Sequence, residues 1–284
     1  MLPDVLSATL RSLSFIAMAQ AAGAVLFMTM FAGLLNASRA PIKRITMVAA
    51  AAGLLLLPIQ FALEAARMAG DMAGAMDLSL QRFALSTAAA TVLAVRIAAL
   101  LLFLIAAARG GVLARSAGIG GGLLVAMSFA LTGHTATSPA RWLLGPMVVL
   151  HVAIVCFWFG ALWPLLRVAG AEPADVAARV VGRFSWLASR LVPGILLAGL
   201  VLMAGLLPDL QALRDGYGLA LLAKLGAFAL LMWLAAWNKW RLGPALARGG
   251  AGARHRFAIV VGTEMIVLAL VLAGTAVLTT FGSP

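Results

Sequence analysis

The chain has 284 residues, 64% of them hydrophobic and only 11% charged, with a mean hydropathy of +1.07. A soluble domain carries roughly a quarter of its residues as charges, so this composition excludes an ordinary water-soluble globule and points to a membrane. The formal net charge of +12 would suggest nucleic acid in a soluble protein. Here the cations stand between apolar stretches, where they set topology and meet anionic lipid.

Eight apolar stretches reach the length of about 20 residues that crosses a bilayer. They are residues 13–36, 45–66, 84–108, 115–133, 142–166, 184–207, 218–240 and 257–280. The predicted fold is all-α: a polytopic membrane protein of eight transmembrane helices with no soluble domain. It divides into an N-terminal half, 1–141, and a C-terminal half, 142–284. The connectors after spans 1, 3, 5 and 7 hold 13 Lys and Arg, five of them after span 7 (Lys239, Arg241, Arg248, Arg254 and Arg256). The other side holds five: Arg11, Arg67, Arg82, Arg141 and Arg214. The asymmetry predicts the basic side in the cytoplasm and both termini outside. "MLPDVLSATLRSL" reads as the approach to a first span rather than a cleaved signal peptide.

In chain order, span 1 carries Met18 and span 2 carries Glu64 near its outer end. The connector "RMAGDMAGAMD" follows, with Met68, Met72 and Met76 at every fourth residue. On one helix that spacing puts three thioethers on one face. The Ala-rich parts of this connector and of "RVAGAEPADVAARVVGR" after span 5 read as short amphipathic interfacial helices. Span 3 carries Arg96 close to the midplane, with no evident partner. Span 4 carries Met127, seven residues and two helical turns before His134 in "LTGHTATSP" at the outer mouth. Span 5 carries Met147 and, one turn deeper, His151, roughly 15 Å from Arg141 at 1.5 Å per residue. Its Cys156 is the only cysteine, so no disulfide forms within the chain.

Ionisable groups inside spans are costly and therefore candidates for function. Arg190 in span 6 and Glu264 in span 8 lie at similar depth, which suggests a buried pair. Lys224 in span 7 either snorkels outward or meets Glu64. Asn238 ends span 7 and is expected to cap it or bond to backbone. "AVRIAALLLFLIAAARGGVLAR" echoes "LAKLGAFALLMWLAAWNKWRLGPALAR", with Arg96 opposite Lys224, as a parallel four-plus-four duplication would give.

Imidazole and thioether together suit Cu(I), which prefers soft donors; hard cations need carboxylates, and the outer half has few. Stacked by depth, His134, Met127, Met147 and His151 form a column, with Met18 at comparable depth and the Met68/Met72/Met76 row outside it. These are the predicted copper ligands.

The chain resembles the copper resistance protein D (CopD, PcoD) family. The motifs are "LTGHTA", "LHVAIVCFWFGALWPLL", "RFSWLASRLVPGILLAGL" and "YGLALLAKLGAFALLMWLAAWNKWRLGPAL", and span 8 with Glu264 also fits. The closing "FGSP" departs from the family's usual Pro-Pro. The resemblance implies a multi-pass protein of the bacterial inner membrane, found beside a CopC-like periplasmic copper carrier, that handles copper. It places His134 and His151 on the family's histidine positions and Glu264, Lys224 and Tyr217 on its polar ones. The expected function is copper transport from periplasm toward cytoplasm, not enzymatic catalysis. Two alternatives stand: a copper metallochaperone or oxidase-assembly factor with no through-path, and a haem- or quinone-linked redox protein. A bis-histidine haem needs two facing axial ligands, and His134 and His151 differ in depth by two to three turns. No nucleotide-binding signature is present, so movement of copper would be passive or driven by the membrane potential.

Overall fold

A computed structural model of the chain describes residues 2–206, 216–250 and 252–281. Among these residues there is no strand, and eight helices are long and apolar enough to span a membrane. They are α1 (Leu2–Phe31), α2 (Arg39–Ala69), α4 (Ala88–Ala108), α5 (Gly111–Ala130), α7 (Arg141–Ala171), α8 (Ala174–Leu206), α9 (Gly216–Trp237) and α11 (Ala253–Phe281). Between them lie three short helices: α3 (Leu78–Leu85), α6 (His134–Thr137) and α10 (Gly243–Ala247). Every expected span is present, and most run several residues longer than the apolar stretch alone. The polar ends hydrogen-bond their own backbone and so continue the helix beyond the hydrocarbon.

Two connectors differ from expectation. The stretch after span 5 is no separate interfacial helix: α7 runs to Ala171 and α8 starts at Ala174, with only Glu172 and Pro173 between. The Met-bearing connector is not one helix either. Gly70 ends α2 in the left-handed conformation at φ 80°, which glycine adopts without strain, and a single 3₁₀ turn follows at Ala73–Met76.

The centre of the bundle is α1, which packs against α2, α4, α5, α7 and α11. Its "AMAQAAGAV" segment has side chains small enough for close approach, the usual way membrane helices gain contact where no hydrophobic effect separates protein from lipid. The closest crossing is with α7. A Cβ placed on Gly23 would lie 2.2 Å from the Cys156 carbonyl oxygen, and one on Gly160 would lie 2.4 Å from the Ala19 carbonyl oxygen. Each glycine thus meets the carbonyl four residues before the other. Gln20 Nε2 seals the crossing by donating to the Gly160 carbonyl at 3.0 Å. Helix adjacency repeats with an offset of four spans: α1–α2 and α7–α8, α4–α5 and α9–α11, α1–α11 and α7–α5.

Each face of the bundle has its own fastening. On the face that carries the termini, Glu64 accepts from Arg11 at 3.0 Å and from Arg67 at 3.1 Å, Arg67 also pairs with Asp4 at 3.2 Å, and Arg11 donates to the Thr279 carbonyl at 2.8 Å. On the opposite face, buried Glu172 takes the backbone N–H groups of Asn36 and Ser38, each at 2.9 Å, and the Ser38 hydroxyl at 2.6 Å. It thereby ties the α1–α2 turn to the end of α7. Burial opposes the charge on Glu172, but these donors outweigh it and hold its carboxyl below the usual range.

Candidate metal site

The C-terminal half encloses a cavity of about 290 Å³ between α7, α8, α9 and α11, in the half of the bundle nearest the termini. Its walls are apolar apart from a few groups. His151 projects into it from α7, Lys224 from α9 and Thr275 from α11, while α8 contributes Gly199 and Met203. Gly199 faces the imidazole: a Cβ there would rest in ordinary van der Waals contact, 3.9 Å from His151 Cε1. The ring is half-buried, and its Nδ1 is buried with no hydrogen-bond partner among the described residues. Most buried polar atoms are satisfied; the ring also interacts with the backbone of Ile195, and an imidazole in a cavity that also holds the Met203 thioether is the chemically distinctive feature. Trp158, seven residues and about 10 Å along α7 from His151, forms the floor.

The other predicted ligands are distributed differently. Met147 is half-buried one turn from His151 toward the mouth. Met18 is 1% exposed and packs in the central core rather than lining the cavity. Met127 is 50% exposed on the outer surface of α5. The two-turn phase that joined Met127 to His134 assumed one helix, but α5 stops at Ala130 and His134 starts the separate turn α6. The continuous column therefore does not assemble through Met127. Met68, Met72 and Met76 are all exposed on the terminal face, with Met76 at 85%, but the break at Gly70 removes the common helical face. The side chains of His134 and Tyr217 lie outside the described part of the structure. Among the described residues no three His, Cys, Asp or Glu side chains cluster as a metal site. His151 and Met203 are the imidazole and the thioether among the residues that line the cavity.

The intramembrane charges also find partners other than those expected. Glu264 does not pair with Arg190. It accepts from Asn238 Nδ2, while the Arg190 guanidinium lies over the Trp186 ring, 3.6 Å from its centroid. Asn238 accordingly bonds to a side chain rather than to backbone. Lys224 does not meet Glu64, because Arg11 and Arg67 occupy that carboxylate. Arg96, 7% exposed, donates from Nε to Ser128 Oγ at 3.1 Å and stacks over Phe129 at 4.7 Å and Phe15 at 5.7 Å. It lines a second cavity of about 330 Å³ in the N-terminal half, with Arg11, Glu64 and Gln60.

Met203 was missed in the sequence, although a signal existed. It stands four residues after Gly199, on the same face of α8, and a small residue followed by a thioether one turn on is a plausible ligand wall. Two family models match the chain. One, described as copper resistance protein D, matches residues 178–278, and the other, described as copper resistance protein D-like, N-terminal domain, matches residues 1–144. No curated protein and no solved structure matches.

Proposed function

Since the chain belongs to the copper resistance protein D family, we propose that it takes up copper on its terminal face and carries it across the membrane through the His151 cavity. The family implies a role in copper resistance or uptake; the route, the direction and the ligands are the proposal. The observation that carries it is the His151 imidazole in one cavity with the Met203 thioether. Neutral nitrogen and sulfur donors bind Cu(I) without burying a carboxylate. The exposed Met68, Met72 and Met76 would collect the ion outside, or receive it from a CopC-like carrier, and Met147 lies one turn above His151. With the terminal face periplasmic, as the cation asymmetry suggests, the membrane is a bacterial inner membrane. A monovalent cation moving inward then gains about 2.3 kcal/mol per 100 mV. No catalytic step is part of this reading.

Lys224 lines the same cavity. An ammonium there opposes a second cation, which favours passage over storage. A second reading, lateral delivery of copper without crossing, is favoured by one observation: Trp158 closes the cavity floor. Copper uptake into vesicles containing the purified protein separates the two. Wild type should accumulate copper in the lumen, and His151→Ala should reduce uptake to the level of empty vesicles while folding normally. Equal uptake by the variant would remove the His151 route, and binding by wild type without accumulation would leave lateral delivery.

A further inference from the structure

Below Trp158 lies a third cavity, of about 190 Å³, whose lining includes Glu264, Asn238, Ser185, Ser189 and Lys239. Trp158 lines both this cavity and the His151 cavity. Its indole also comes within hydrogen-bonding reach of Glu264. Asn238 opens a five-residue π turn, Asn238–Leu242, that continues α9. Such widened turns occur mostly as single insertions in α-helices, often at functional sites. Here the turn presents the Asn238 amide to α11, where its Nδ2 donates to a Glu264 oxygen. Both residues are buried, at 8% and 3% exposed, and Asn238 Oδ1 has no hydrogen-bond partner among the described residues.

Consider Glu264 ionised. A charge taken out of water costs several kcal/mol unless it is paired. Among the described residues that line this cavity, the one other charged group is Lys239, and its exposed amine is held by Ser189 Oγ at 2.9 Å. Ionised, Glu264 would keep the Asn238 and Trp158 donors but have no ion-pair partner among the described residues, beside an amide oxygen with no donor. A proton on the second carboxyl oxygen removes the charge and supplies a donor beside Asn238 Oδ1, making an acid–amide pair. Turning the amide over sets its oxygen against the carboxyl, an arrangement that requires the proton even more.

We infer that Glu264 and Asn238 form a proton-binding site on the far side of Trp158 from His151, exchanging its proton through the cavity toward the Ser189–Lys239 end. The inference goes beyond the copper reading and does not depend on it. The test is infrared spectroscopy of the full-length protein in lipid nanodiscs, without copper. Wild type at pH 7 should show the carbonyl stretch of a protonated carboxylic acid. Glu264→Gln should lack it, and Asn238→Leu should shift it. The band should move on transfer to heavy water without unfolding, because the cavity admits exchange. A folded wild type without that band at pH 7, or with a band that exchanges only on unfolding, would overturn the inference. The wild-type spectrum alone decides the first point, so a variant that fails to fold does not block the test. Copper uptake is measured separately, so either reading can fail alone.

Discussion

The two halves each enclose a cavity near the terminal face, and the cavities differ in what they do with charge. In the N-terminal one, Arg96 is packed between Phe15 and Phe129, and Arg11 is neutralised by Glu64, which also holds Arg67. In the C-terminal one, Lys224 and His151 face apolar walls with no carboxylate among the described residues. The helices concerned correspond closely. Six residues beyond Pro58, inside α2, stands Glu64; six beyond Pro193, inside α8, stands Gly199. An acid in one half thus stands where the other half has a glycine beside an imidazole. The comparison separates structure from function: polar groups that satisfy one another fasten helices, and polar groups left open are available to a ligand.

The widest test removes what both cavities lean on. Gly160→Leu places a side chain where the α1 backbone already lies 2.4 Å from a Cβ position. Overpacking costs about 1–3 kcal/mol even where neighbours can yield, and backbone cannot. The expected outcome is loss of monodisperse protein on size-exclusion chromatography, with both cavities lost together. Glu64→Gln is narrower. It weakens two charge-assisted bonds in the N-terminal half and should lower stability by about 2 kcal/mol, read as a lower thermal midpoint, while copper uptake per folded molecule stays at the wild-type level. Lys224→Met should do the reverse. It leaves stability close to wild type and tightens copper binding about tenfold, equivalent to ~1.4 kcal/mol, because the opposing charge is gone; competition with a Cu(I) chelator measures it.

The smallest expected effect concerns neither cavity. Glu172 is held below the usual carboxylate range by the Asn36 and Ser38 donors, so its stabilising contribution is complete above the ordinary value of 4.5 and is lost as pH falls through its lower folded-state value. Thermal midpoints should be flat above that range and decline below it, and Glu172→Gln should flatten the acid limb. Copper uptake at neutral pH should not respond.

Much of the architecture was legible in the chain. Spans of about 20 apolar residues leave few alternatives in a bilayer, and eight helices follow. Side-chain pairing was much less so. Depth along a helix can be counted, but rotation about its axis cannot. Arg190 and Glu264 share a depth and nevertheless face different partners, Trp186 and Asn238. The common helical phase expected for Met127 with His134 and for the Met68–Met76 row is broken for a related reason. Helical phase carries across a segment only while the helix continues, and Gly70 and the end of α5 at Ala130 interrupt it. His151 was found because an imidazole deep in a span is costly wherever it points. Met203 was passed over because methionine is common in apolar helices and only the fold places it in the cavity that His151 lines. Glu172 gave no signal at all, since its partners are the backbone groups of a turn 134 and 136 residues away.

X-ray absorption at the copper edge of the Cu(I)-loaded protein bears most directly on the central claim. A mixed nitrogen and sulfur environment is expected, with the sulfur contribution reduced in Met203→Ala and bound copper lost from the cavity in His151→Ala. A spectrum unchanged by either substitution would place copper elsewhere and contradict the account.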